Sequence, residues 1–207
     1  LFLEHGYRVG IAHCNFQLRG DESDQDELFV RNIAEENNIP FFNIHFETKE
    51  IAESEGISIQ MAARDLRYEW FEEIRMKHGY DYIAIAHNKN DVIETFLNNL
   101  TRGTGIKGLT GIKEKSGNVI RPLLFASRND IEQYIENNQL NFREDSSNKS
   151  TKYSRNLIRH EIIPLFEKIN PRFNDTIIEN ISRLKETESI YLNQIETKKN
   201  ELIEKQD

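Results

Sequence analysis

Three short apolar runs separated by helical periodicity restrict this fold more than any other feature. Tyr7–Ala12 (YRVGIA), Phe41–Phe46 (FFNIHF) and Tyr82–Ala86 (YIAIA) begin near residues 7, 41 and 81, and a helical pattern fills each gap. Glu22–Asn37 turns Leu28, Ile33 and Ala34 inward, and Pro40 breaks the chain before the second run. Ser58–His78 places Ile59, Ala63, Leu66, Trp70 and Ile74 on one face and stops at Gly79. Strand, helix, strand, helix, strand at this spacing is the pattern of parallel βαβ units. The expected fold class is α/β, a doubly wound, mainly parallel, Rossmann-like sheet. Asp91–Leu100, Asn129–Asn138 and Ser154–Phe166 add further helices, and Asn174–Asp207 reads as a long polar helix. A first domain over residues 1–170 is expected, with 171–207 a helical linker, the start of a second domain, or a helix packed back on the first. The chain opens in mid-element, with Leu1–Glu4 as a last helical turn and Gly6 as its stop.

Composition narrows the function classes. No run approaches 18 consecutive apolar residues, so no membrane-spanning helix is expected, and no signal peptide is visible. Cys14 is the one cysteine of 207 residues. An internal disulfide or a Cys-based zinc cage is therefore excluded, and the cytoplasm is the expected compartment. No two histidines have HxxxH spacing, which speaks against zinc. Net charge is −8, yet the charge is uneven: 11 acids against 2 bases over 21–55, but 6 bases against 1 acid over 101–128 and 7 against 4 over 143–172. Those basic stretches either grip a polyanion at one face or lie on scattered solvated loops.

Ligands of doubly wound sheets bind at the carboxyl ends of strands. There the sequence places His13–Glu22 after the first run and His87–Asp91 after the third. Asp91 and Glu94 are three apart on one helical face, which suits either a hydrated Mg²⁺ carrying a nucleotide or a helix start with Asp91 as N-cap and Glu94 at N3. Arg64 and Arg67 lie a turn apart, as phosphate forks or as a flank pairing with Asp65 or Glu69. Arg155 and Arg159 share a face, as anion contacts or as a surface stripe. The segment 102–111 holds four of the ten glycines and matches neither a Walker loop nor a dinucleotide fingerprint. Cys14 reads as a small core residue.

Five ordered segments then carry a resemblance: AHCNFQLRGDESDQDE, MAARDLRYEWF, AHNKNDVIETFLNNLTRGTGIKGLTGI, RPLL and EDSSNKSTKYSRNLIRHEIIPLF. Together, over residues 1–170, they resemble the N-terminal domain of the bacterial tRNA(Ile)-lysidine synthetase family, within the N-type ATP pyrophosphatase (PP-loop) superfamily. The resemblance implies ATP-dependent ligation of free lysine to C2 of the wobble cytidine of tRNA(Ile) with a CAU anticodon, through an adenylated tRNA, with ATP and Mg²⁺ required. It implies Asp91, Arg67 and Arg159 as catalytic residues, and Ala12, His13 and His87 at the nucleotide, where Arg64, a turn before Arg67, is expected as a phosphate fork. Asp91 is implied at Mg²⁺, with Glu94 a second candidate. Phe16, Asn88, Asn90 and Val92 depart from the family pattern, replacing histidine, histidine, aspartate and glutamine. The family's Ser-Gly-Gly-x-Asp-Ser phosphate loop would precede Leu1 and does not occur in this chain, so this segment alone is expected to be inactive. The alternatives are another PP-loop tRNA-modifying enzyme, such as a thiolase, or an RNA-binding module without chemistry. Thiolases use paired cysteines, against which the single Cys14 counts.

Overall fold

The computed structural model describes residues 1–145 and 154–203. Packing divides the chain into two compact units, Leu1–Ile83 and Ala84–Asp207. In the first unit, strand β1 (Ile11–Asn15) pairs in parallel with β2 (Phe41–His45), in register from Ile11 opposite Phe41 to Asn15 opposite His45. The connection runs through helix α1 (Asp21–Glu36), the βαβ unit expected from the spacing. Helices α2 (Thr48–Glu55) and α3 (Ile59–His78) come next. Ser58 caps α3 by accepting from Met61 N, and Gly79 ends it at φ 66°, where a side chain would be strained. Gly10 is required for another reason: a Cβ there would run into the Tyr80 ring. Before β1, a turn closes at Gly6, with Tyr7 N donating to Phe2 O (3.1 Å) and Gly6 N to Leu3 O (2.9 Å). That is a Schellman closure, and the Phe2 and Tyr7 rings supply its apolar contact.

The inward face of α1 differs from the periodicity. Leu28 is 56% exposed, and Glu27 takes the inward position instead. Glu27 is the centre of a polar network. It accepts from Asn43 Nδ2 (2.9 Å), Arg31 Nη2 (2.8 Å) and Asn15 Nδ2 (3.3 Å), and lies 2.6 Å from His45 Nε2. These partners come from α1 itself and from both strands, so the network ties the helix to the sheet. A helical periodicity count scores Leu28 as core and has no means of seeing a carboxylate satisfied across two strands.

In the second unit, β3 (Ile83–Ala84), at the division, leads to α4 (Lys89–Arg102), a short α5 (Ile106–Leu109), and an antiparallel hairpin of β4 (Lys115–Ser116) and β5 (Val119–Ile120). The order is β3-β5-β4, so the third strand lies beside the hairpin. Helix α6 (Arg128–Asn137) is next, capped by Ser127. Helix α7 (Ser154–Leu157), a π-helical turn (Ile158–Ile162) and α8 (Ile163–Ile169) occupy the span expected as one helix. The last helix, α9 (Phe173–Ile203), packs its first half into the core. Ile181 (2% exposed) joins Val92, Ile93, Phe96, Leu97, Ile158 and Ile163. No helix among the described residues is long and apolar enough to cross a membrane.

The Glu27 network makes stability depend on acid. Burial pushes the carboxyl up, but hydrogen bonds from Arg31, Asn15 and His45 prevail and hold it below the usual glutamate range. A depressed folded-state value stabilises above the ordinary value of about 4.3 and is lost as pH falls below it. Glu27→Gln should therefore lower the melting temperature at pH 7. The gap to the parent should narrow as pH falls from about 5 to 3. A gap of constant size contradicts the assignment.

Candidate functional site

The start of α4 carries the densest chemistry. Its N-cap is Asn88, whose Oδ1 accepts from Asn90 N (2.9 Å) and Asp91 N (3.2 Å). Asp91 returns the bond, its Oδ2 accepting from Asn88 N at 2.8 Å. The capping box is thus Asn88–Asp91, which corrects the expected Asp91–Glu94 box by one turn. The physical reason is that Lys89 and Asn90 already have helical geometry, because Lys89 N donates to Ala126 O (2.8 Å) and fixes the chain one turn earlier. Asn90 is also engaged, with its Oδ1 accepting from Arg128 N at 2.9 Å. Two of the family departures, Asn88 and Asn90, therefore anchor the N-terminus of α4.

Freed from the box, Glu94 is fully buried at 0% exposure. Arg159 closes on it as a fork, Nε to Oε1 at 2.6 Å and Nη2 to Oε2 at 3.0 Å. The same guanidinium reaches Asp91, with Nη2 3.8 Å from Oδ1. Burial raises the Glu94 carboxyl above its ordinary value, against the pull of Arg159, while the hydrogen bond to Glu94 raises Arg159. Arg155, one turn before, donates from Nη2 to Thr95 Oγ1 at 2.7 Å, and Ser154 Oγ lies 3.1 Å from Asn98 Oδ1. Both arginines of the 155–159 pair thus reach side chains of α4, Arg155 from an exposed position and Arg159 from a half-buried one.

Arg159 sits in the π-helical turn. Ile163 N there donates five residues back to Ile158 O, and Pro164 comes next with no N–H to offer His160. The signal was in the sequence: a proline inside an otherwise helical pattern.

His87 precedes the cap, and Arg121 Nε donates to its Nδ1 at 3.2 Å, which leaves the ring proton on Nε2. In the first unit, Ala12 and His13 lie on β1, and burial lowers His13 despite the nearby Glu27 and Asp26 carboxylates. Cys14 is partly buried, its thiol raised to about 12 by desolvation. Arg67 lies over the Phe16 ring at 5.0 Å, and Arg64 over Tyr68 at 4.9 Å, so neither pairs with Asp65 or Glu69 in the described contacts. No group of three or more His, Cys, Asp or Glu side chains suited to a metal occurs among the described residues. Mg²⁺ with a nucleotide needs only one or two protein carboxylates, and Asp91 Oδ1 is the oxygen that remains outside the cap.

The sequence profile of the PP-loop domain matches residues 3–166. The chain belongs to the PP-loop domain family. The PP-loop domain is a Rossmann-like fold, as expected from the strand spacing. Among curated relatives, the tRNA(Ile)-lysidine synthase of Parabacteroides distasonis is 44% identical over 198 residues, covering 96% of this chain and 45% of its own length. That of Porphyromonas gingivalis is 43% identical over 189 residues, covering 91% of this chain and 42% of its own. The chain therefore spans under half the length of these relatives. Among solved structures, the U34-tRNA thiolase NcsA of Methanococcus maripaludis with its 4Fe-4S cluster superposes with a TM-score of 0.65 at 20% identity, over 84% of this chain and 61% of that one. That likeness concerns the fold.

The buried fork yields a pH-dependent prediction. Arg159→Ala strands Glu94 and should cost about 3–5 kcal/mol near neutral pH. A raised carboxyl stabilises the folded state at low pH and loses that contribution as pH rises through its folded value. Urea midpoints should therefore show a smaller deficit at pH 5 than at pH 8. An equal deficit at both contradicts a buried, unpaired Glu94 in the variant.

Proposed function

We propose that this chain is the PP-loop part of a tRNA(Ile)-lysidine synthase, a cytoplasmic ligase using ATP with Mg²⁺, free lysine and tRNA(Ile) with a CAU anticodon. The observation that carries the reading is identity of 43–44% over more than nine-tenths of the chain to relatives of that name. In the reaction, the cytidine O2 attacks the α-phosphate of ATP, the bond to pyrophosphate breaks, and adenylated tRNA forms. The lysine amine then attacks C2, and AMP departs with the former O2. Asp91 would hold a bound Mg²⁺ through its free carboxylate oxygen, and that ion would screen the phosphate charge.

The other roles rest on local chemistry. Glu94 serves better as the partner that orients Arg159 than as a metal ligand, since both its oxygens are occupied and buried. Arg159, half-buried and fixed beside Asp91, is suited to an anion in the nucleotide or the adenylated intermediate. Arg67 and Arg64 are phosphate candidates of the first unit, and Ala12, His13 and His87 are nucleotide-site candidates by the resemblance alone. The exposed Arg102, Lys107, Lys113 and Lys115 supply cations for the tRNA backbone.

The complete gene product should be incubated with ATP, Mg²⁺, lysine and a tRNA(Ile) transcript, and the nucleosides analysed by mass spectrometry. The reading expects cytidine 34 to gain a lysine residue; pyrophosphate release with no such product contradicts it. Asp91→Asn keeps the cap, because asparagine accepts from Asn88 N as aspartate does. It should leave the melting temperature unchanged and slow pyrophosphate release by roughly 100-fold or more. Full activity at limiting Mg²⁺ would leave Asp91 as a cap alone.

A further inference from the structure

Arg67 is held in an unusual way. The guanidinium is half-buried on α3, and no carboxylate, carbonyl or hydroxyl among the described residues takes a hydrogen bond from it. Its described contact is with the face of Phe16, 5.0 Å from the ring centroid. A half-buried cation whose donors are unused, directly beyond the carboxyl end of β1, is prepared for an external anion.

Phe16 is itself fixed. Its ring stacks on Phe46 with centroids 5.8 Å apart and planes 20° apart. The backbone holds the pair from below. Phe46 N donates to Asn15 O at 2.9 Å. The Thr48 hydroxyl, on a residue 1% exposed, lies 3.0 Å from Phe16 O and 3.4 Å from Phe46 O. The buried hydroxyl thus staples both aromatic residues, and the stack presents one ring face to Arg67. A ring face attracts a guanidinium through its quadrupole without occupying any of the five N–H donors. A carboxylate in that place would neutralise the charge and consume two of them.

We propose that Phe16 is a positioning residue that holds the Arg67 guanidinium, donors free, for a phosphate of the bound nucleotide. This rests on the ATP-dependent reading above, and it assigns a role to a residue where the family pattern has histidine.

The test titrates ATP into the complete gene product and its variants. Arg67→Ala and Phe16→Leu should each weaken ATP about three- to thirtyfold, and the double variant should be no weaker than Arg67→Ala alone. Phe16→Trp, which restores a ring face, should bind within about threefold of the parent. Phe46→Leu breaks the stack without touching Arg67 and separates packing from positioning. It should lower the melting temperature as Phe16→Leu does, yet weaken ATP by clearly less than Phe16→Leu, because the Phe16 ring is still present beside Arg67. Additive losses in the double variant, or full affinity in Phe16→Leu, overturn the proposal. Full affinity in Arg67→Ala also overturns it, and lysidine formation by that variant would show that the enzyme reading survives.

Discussion

The second unit is organised around a charge removed from water. Glu94 lies in the core beside Ile93, with no exposed surface, and its carboxylate is tolerable only because Arg159 meets both oxygens. Such a pair adds little net stability, since desolvation cancels much of the attraction. What it does is fix geometry. The π-helical turn that carries Arg159 must sit at one height along α4, and the guanidinium then falls beside Asp91. Pro164 makes that turn accessible by removing the donor that would have closed a regular helix.

The first unit solves a similar problem with neutral and charged partners mixed. Glu27 couples α1 to both parallel strands, and Asn15 at the end of β1 is drawn into the same network. One residue further on, the chain turns the Phe16 ring toward Arg67. Buried polar groups thus set where β1 ends and which ring is presented just beyond it, in the place where this fold class binds nucleotides.

Element order and type were legible from periodicity, because βαβ spacing and the stops at Gly79 and Pro40 are local signals. The parallel pairing of Ile11–Asn15 with Phe41–His45 was implied by them. The first strand begins at Ile11, four residues later than its apolar run, since the turn at Gly6 and the close approach of Tyr80 at Gly10 occupy the earlier positions. The hairpin at 115–120 and α2 escaped notice, being short and polar. The resemblance pointed to Asp91 and Arg159, which lie 3.8 Å apart, but the Asn88 cap was not legible. Asparagine there reads as a lost histidine until Lys89 N is seen bonded to Ala126 O, a contact 37 residues apart in the chain. Glu27 was invisible for the same reason: apart from Arg31 on its own helix, its partners Asn15, Asn43 and His45 lie 12 to 18 residues away.

Glu94 and Arg159 form one buried unit, and if the proposed role of Arg159 holds, the pair is coupled in rate as well as in folding. A double-mutant cycle with Glu94→Gln and Arg159→Met, read by urea unfolding and by tRNA-dependent pyrophosphate release, tests it most directly. The account predicts strong non-additivity in both, with the double variant more stable than Arg159→Met and no slower. Additive effects on unfolding and on rate would contradict it and leave the two residues as independent neighbours.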